Sequence, residues 1–157
     1  MPTLAPGDRA PAFTLLDQHG DKVKLSDFKG HPVVVYFYPR ADTPGCTTQS
    51  CALRDAEPDL TKLDAVVLGI SPDTPEKQAK FDEKYGLGFT LLADTEHEVA
   101  EKFGVWGEKV NYGKKYMGIV RSAFVVGPNG KIVDAFYKVS PKDTVPKVTK
   151  AIESLSG

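Results

Sequence analysis

Residues 32–51 read PVVVYFYPRADTPGCTTQSC, and the fold turns on how this stretch is interpreted. After Pro32, the run VVVYFY (33–38) is β-branched and aromatic with no polar alternation. A strand that is apolar on both sides belongs in the middle of a sheet covered on both faces. Pro39 stops it, because proline cannot continue the ladder of a central strand. The chain then crosses a polar loop ending in Thr43-Pro44-Gly45 and takes on helical character from about Thr47. Leu53 and Ala56 are spaced to face inward, and Arg54, Asp55 and Glu57 to face solvent. Pro58 should break or kink this helix, since it lacks an N–H and its ring crowds the preceding turn.

The same pattern repeats on either side. Upstream, Phe13–Leu16 and Lys22–Leu25 are two short strand-like runs separated by Asp17-Gln18-His19-Gly20-Asp21, which has hairpin-turn chemistry. Ser26-Asp27-Phe28 reads as a brief helical turn ended by Gly30. Downstream, Ala65–Ile70 is a second buried strand. Thr74-Pro75-Glu76 starts a helix with proline at its first position. Phe81 and Tyr85 share one face of it, and Gly86 and Gly88 end it. Phe89–Leu92 is a third strand and Glu96–Phe103 a short helix closed by Gly104. Ile119–Val126 and Lys131–Tyr137 flank the turn Pro128-Asn129-Gly130 and form the strongest hairpin signal in the chain. An amphipathic helix runs from about Thr144 to Leu155.

Strands and helices alternate first, and a hairpin plus a helix close the chain. This predicts an α/β architecture with a central mixed β-sheet flanked by helices and an N-terminal β-hairpin. A thioredoxin-like fold has this order. A flavodoxin-like fold would need a crossover helix where the late hairpin lies.

A chain of 157 residues suits one domain over residues 1–157, large enough to bury a core without covalent staples. Apolar residues make up 41% and charged residues 26%, the balance of an ordinary globular protein. With 20 basic and 21 acidic residues the net charge is −1, which gives no reason to expect nucleic acid or an anionic membrane surface as a partner. The opening MPTLAPGDRAPAF lacks the basic and apolar regions of a secretory signal. No apolar run approaches the roughly 18 residues of a membrane span. Two cysteines do not make a disulfide scaffold, so the expected setting is a reducing cytoplasm, where a disulfide would be transient and chemical.

Those two cysteines carry the chemistry. Cys46 sits where strand, loop and helix meet. A thiol reacts as its thiolate, which the unpaired N–H groups and dipole of a helix N-terminus stabilise. Pro44 is rigid and can shield the sulfur from water. Gly45 allows close approach of the backbone, and Thr43 offers a hydroxyl beside the sulfur. Free cysteines are often only small buried hydrophobes, but the junction with Thr-Pro-Gly before it favours a nucleophile. Cys51 lies five residues on. On one helix the pair would be about 140° apart around the axis and about 7.5 Å along it. A disulfide needs Cα atoms within about 7 Å and converging Cβ vectors. Bridging the pair therefore requires the first turns to unwind. The spacing excludes a C-x-x-C oxidoreductase and fits no zinc site. His19, His31 and His97 are scattered without a ligand pattern and read as surface or turn residues.

These residues resemble a known family. Pro39-x-x-x-Thr43-x-x-Cys46 is similar to the active-site motif of peroxiredoxins. FYPRADTPGCTTQSCALRD (37–55) resembles the Q-type, or bacterioferritin comigratory protein, subgroup. Gly7-Asp8-x-Ala10-Pro11-x-Phe13, Gly69-Ile70-Ser71-Pro72-Asp73, Phe89-x-Leu91-Leu92-x-Asp94, Gly104–Lys109 and Gly118-Ile119-x-Arg121-Ser122 extend the resemblance over nearly the whole chain. It implies a thioredoxin fold and a peroxidase reducing hydrogen peroxide and organic hydroperoxides, without metal or organic cofactor. It assigns Cys46 as peroxidatic and Cys51 as resolving. Thr43 would position the peroxide, Pro39 would shape the pocket, and Arg121 would stabilise the thiolate and the developing charge. Taken alone, Arg121 reads as a surface ion-pair partner; its place in the buried-looking run IVRSAFVV, where an unpaired guanidinium is unfavourable, argues against that. Arg40 replaces a common lysine, and Ala123 a frequent threonine. Trp106, Tyr112 and Tyr116, at or near a loop over 107–118, read as core and loop packing, or alternatively as an apolar wall for alkyl peroxides.

The mechanism that follows runs from a Cys46 sulfenic acid, through unwinding, to a Cys46–Cys51 disulfide that thioredoxin reduces. A different class of function, a peroxide-sensing redox switch without steady turnover, would use the same two thiols. The chain is expected to be a monomer, with a weak dimer through the active-site loops as the alternative.

Overall fold

Every residue of the strand Val33–Phe37 is buried, as its composition requires. The computed structural model describes residues 3–156; Met1, Pro2 and Gly157, which belong to the single-domain expectation and to the segment read for a leader, lie outside the described residues. The chain forms nine strands and four α-helices among these residues: β1 (Thr14–Asp17), β2 (Lys22–Lys24), β3 (Val33–Phe37), α1 (Pro44–Lys62), β4 (Val66–Ser71), α2 (Pro75–Tyr85), β5 (Thr90–Ala93), α3 (Glu98–Lys102), β6 (Trp106–Asn111), β7 (Lys114–Ile119), β8 (Ser122–Val126), β9 (Ile132–Phe136) and α4 (Thr144–Glu153). A 3₁₀ turn over Leu25–Phe28 follows β2, and another over Ser154–Ser156 ends the last helix.

Seven strands make one sheet in the order β2-β1-β5-β4-β3-β8-β9. β3 pairs in parallel with β4, which α1 connects to it, and β4 in parallel with β5 across α2. β3 pairs antiparallel with β8, and β8 antiparallel with β9. A parallel unit crossed by a helix, joined to an antiparallel hairpin and a final helix, is the thioredoxin-like order; an antiparallel β8 excludes the doubly wound alternative. The N-terminal hairpin of β1 and β2 is present and extends the sheet edge by pairing with β5.

Alternation along β3 divides the core in two. Val34, Tyr36 and Tyr38 join Leu53 of α1, Phe81 of α2 and Val148 of α4 in one apolar cluster. Val33, Val35 and Phe37 join Val99 of α3, Phe103 and Ile119 in the other. The sheet is thus buried on both faces, which is why the pattern of this strand shows no alternation. Thr74 caps α2 as predicted, its hydroxyl accepting from the Lys77 N–H at 3.3 Å, and Gly86 ends it in the left-handed conformation at φ 57°.

Four sequence expectations need correction. α1 starts at Pro44 rather than near Thr47, because proline is well suited to the first helical position. It runs on through Pro58 to Lys62, since Pro58 lies on the exposed face while Leu53 and Leu60 anchor both sides in the core. The segment 107–118 is a second, separate hairpin of β6 and β7 rather than a loop. Finally, IVRSAFVV is not one strand: β7 ends at Ile119 and β8 begins at Ser122, leaving Val120 and Arg121 at the break where the chain passes from one sheet to the other.

Candidate active site

Cys46 occupies the third position of α1, just beyond the C-terminal end of β3. The first turn of a helix leaves backbone N–H groups without helical partners, here those of Gly45 and Cys46, before Thr47 N–H bonds to the Thr43 carbonyl at 2.8 Å. Cys46 therefore lies in the first turn of a helix, at its positive end, where a thiolate is favoured in general. Cys46 is 1% exposed and packs in the same apolar cluster as Tyr36 and Tyr38.

Arg121 reaches this sulfur from the break between β7 and β8. Its Nη2 lies 3.4 Å from Cys46 Sγ, and its Nη1 donates to Gln49 Oε1 at 2.8 Å. Gln49 Nε2 in turn donates to Thr144 Oγ1 at 3.0 Å, and that hydroxyl donates to the Ser140 carbonyl at 2.9 Å. Gln49 and Thr144 are both fully buried. The guanidinium is therefore aimed by a chain of hydrogen bonds that passes through Thr144, the first residue of α4, to the Ser140 carbonyl. Gly45 makes room for it: a Cβ at this position would lie 2.9 Å from Arg121 Nη2.

Thr43 precedes α1 in an extended conformation, but its side chain does not cap the helix. Its hydroxyl donates to the Arg40 carbonyl at 2.8 Å. The one proton is committed there, and the oxygen is left to accept. Pro39 is half-buried at the end of β3 and turns the chain into the loop. That loop is tied to α2 and to the turn before it: the Ala41 N–H donates to Asp73 at 2.7 Å, and Lys84 and the Tyr85 hydroxyl both donate to Asp42, whose backbone is left-handed at φ 61°.

Cys51 sits on α1, half-buried against the Cys46 cluster, and both thiols are free. Between them, Ser50 shares a 2.8 Å hydrogen bond with the buried Tyr36 hydroxyl. Burial, first of all, pushes the Tyr36 phenol well above its usual range, with the Ser50 bond opposing, so the phenol stays protonated.

The site also holds a residue that was quoted only as part of a motif. Lys109 of β6 is half-buried and donates to the Ile119 carbonyl at 2.8 Å. Burial, and after it the charge of Arg121, make its ammonium easier to deprotonate than an ordinary lysine, while Cys46 acts in the opposite direction. Gln49 and Thr144 were likewise missed. Gln49 is three residues after Cys46, on the same helix face, a spacing that could have flagged it. Thr144 carries no local signal. The aromatic residues divide: Trp106 stacks on His97 at 3.9 Å and packs against the core, whereas Tyr112 is 98% exposed, so the packing reading fails for Tyr112. Among the described residues no group of three or more His, Cys, Asp or Glu side chains is placed to hold a metal ion, and no helix is long and apolar enough to cross a membrane.

Thr144→Val gives a first test of the hydrogen-bond chain. The substitution keeps shape but leaves the buried Gln49 amide without its acceptor. Such an orphan is destabilising by about 1–3 kcal/mol, and urea denaturation should register a loss of that size.

A thioredoxin-like fold with a cysteine in the first turn of the helix after its central strand, facing a guanidinium, defines a thiol-based redox enzyme. The chain belongs to the AhpC/TSA family, whose model matches residues 6–135. It is similar to peroxiredoxin Bcp of Escherichia coli K12, with 54% identity over 136 residues and 87% of each chain covered. To peroxiredoxin Bcp of Bacillus subtilis it is 47% identical, with 98% of each chain covered. Among solved structures it resembles a variant of PrxQ from Xylella fastidiosa, with TM-score 0.93, 28% identity and both chains fully covered. The bacterioferritin comigratory protein of Xanthomonas campestris, studied for alkyl peroxide reduction, matches with TM-score 0.87, 33% identity and 92% of each chain covered.

Proposed function

We propose that this chain is a peroxidase in which Cys46 reduces hydrogen peroxide and organic hydroperoxides, Cys51 resolves the product, and thioredoxin restores both thiols. The observation that carries the reading is the 3.4 Å approach of Arg121 Nη2 to the Cys46 sulfur at the start of α1. A cation at that distance favours the thiolate and later the oxyanion that leaves.

The thiolate attacks one peroxide oxygen, the O–O bond breaks, and the alkoxide or hydroxide departs and takes up a proton. Cys46 is left as sulfenic acid. The Thr43 oxygen, its own proton held by the Arg40 carbonyl, accepts from the hydroperoxide O–H and orients it. Pro39 shapes the floor of the pocket. The first turns of α1 then open, the Cys51 thiolate displaces water from the sulfenic acid, and a disulfide forms. A dithiol reductant returns both residues to thiols by exchange, with its own cysteines oxidised. We place this activity in a single cytoplasmic domain that works as a monomer.

Consumption of peroxide coupled to thioredoxin, thioredoxin reductase and NADPH tests the reading. Sustained NADPH oxidation with hydrogen peroxide and with cumene hydroperoxide is expected. A single stoichiometric burst followed by no turnover would point instead to a sensing switch.

Gly45→Ala separates stability from chemistry. Alanine is the better helix former by about 1 kcal/mol, so the fold should not suffer. The added methyl nevertheless occupies the space of the guanidinium, 2.9 Å from Nη2. The peroxide step, followed by stopped-flow fluorescence, should slow by about tenfold, equivalent to about 1.4 kcal/mol of barrier. An unaltered rate would show that Arg121 is not held where it matters.

A further inference from the structure

We infer that Lys109 is a second cation of the active site, a positioning residue that fixes the approach of Arg121 and adds positive charge opposite the Cys46 sulfur. The inference rests on Cys46 being the reacting thiol, and on three observations.

First, Lys109 is turned inward while its neighbours are not. Glu108 and Val110 are exposed, and Lys109 between them is half-buried. Its stem crosses Gly118 on the paired strand, where a Cβ would lie 3.2 Å from the Lys109 Cδ. Glycine at 118 leaves the path open. Second, the ammonium ends on the Ile119 carbonyl at 2.8 Å, two residues before Arg121 and at the point where β7 stops. Holding that carbonyl fixes where the chain breaks and therefore where the guanidinium starts. The β6–β7 hairpin, which has no other strand partner in the sheet order, is thereby tied to the site.

Third, the charges do not balance without the thiolate. Among the described residues neither Lys109 nor Arg121 forms an ion pair with a carboxylate. Glu108, the acidic residue next to Lys109, faces Lys115 at 3.6 Å instead. Arg121 has a neutral amide and a sulfur as its side-chain partners. Two partly buried cations near one another, with neutral partners only, are unfavourable unless an anion joins them. The group in contact with this cluster that can become an anion is the Cys46 thiol, 3.4 Å from Arg121 Nη2. The same excess of charge also meets the hydroxide or alkoxide as the O–O bond breaks, so it acts on the transition state as well as the ground state.

The experiment uses full-length Cys51→Ser protein, in which Cys46 is the sole thiol, and compares alkylation of Cys46 by iodoacetate, an anion, with alkylation by the neutral iodoacetamide. Lys109→Met and Lys109→Gln remove the charge, the glutamine keeping a hydrogen-bond donor, and Lys109→Arg retains it. Both neutral variants should lower the iodoacetate-to-iodoacetamide rate ratio by about threefold or more, and Lys109→Arg should preserve it. The second-order rate with hydrogen peroxide should fall by about fivefold in the neutral variants. An unchanged ratio together with unchanged absolute rates in both neutral variants, or a Lys109→Arg variant as impaired as Lys109→Met, would each overturn the charge role. Alkylation needs no peroxide chemistry, so this outcome stays readable even if the peroxidatic assignment of Cys46 were to fail.

Discussion

Cys46→Ser should consume no peroxide beyond the uncatalysed background. The substitution keeps the volume nearly constant and leaves the donors of the α1 N-terminus in place, so the pocket survives intact. What it removes is the nucleophile: at neutral pH a serine hydroxyl stays protonated and is a poor attacker of an O–O bond, whereas a thiolate is both charged and polarisable. Arg121 and the helix dipole can favour an anion at position 46 only if one can form. A loss of at least about three orders of magnitude in the thioredoxin-coupled assay is expected. Residual turnover within tenfold of the parent protein would mean that Cys51 or another group reacts, and the assignment would fall.

The Cys51→Ser variant separates the two thiols. Its first encounter with peroxide should proceed at the parent rate, since Cys46, Thr43 and Arg121 are untouched. The product cannot then close a disulfide. One equivalent of peroxide should add one oxygen to the intact mass, trappable by a sulfenate reagent, and excess peroxide should drive Cys46 on to sulfinic acid. Multiple turnover with thioredoxin should collapse. In the parent protein the proposed disulfide would demand that the helix open, because residues five apart on α1 stand about 140° apart. Opening would break the Ser50–Tyr36 hydrogen bond, worth about 1 kcal/mol net, and the charged Arg121–Gln49 bond, worth about 1.5–3 kcal/mol. Amide exchange over residues 46–52 should therefore be faster in the disulfide form than in the dithiol form. Equal exchange would refute the unwinding account, and normal turnover by Cys51→Ser would show direct resolution by the reductant.

The parts of this molecule that were legible in the sequence are those fixed by local chemistry. The unbroken apolar run of β3, the Thr74-Pro75 helix start and the left-handed Gly86 each announce themselves, because burial, capping and positive φ restrict residue type. The β6–β7 hairpin does not. Its turn is built on Tyr112 at φ 52° and Gly113 at φ 78°, and a tyrosine in the left-handed region is not a recognised turn signal. Its second strand is also largely exposed, so little apolar pattern was imposed on it. Pro58 misled for the opposite reason: a strong local breaker was overruled by the packing of Leu53 and Leu60. At the site, helix geometry singles out the two cysteines, and Thr43, Pro39 and Arg121 enter as candidates through the motif resemblance. The support behind Arg121 does not, since Gln49 and Thr144 are 95 residues apart and meet only through the fold.

The hydrogen bond between Ser50 and Tyr36 carries one more consequence. Tyr36 lies in the central strand, stacked on Tyr38 with ring centroids 5.4 Å apart, and is fully enclosed. Its phenol is tethered to the segment of α1 that must open for the thiols to meet. When that tether is released, the electronic environment of a sequestered tyrosine pair changes, and with it their near-ultraviolet absorption and dichroism. On the proposed chemistry, the interior of the sheet would keep an optical record of the oxidation state of Cys46 and Cys51, readable in solution without a label.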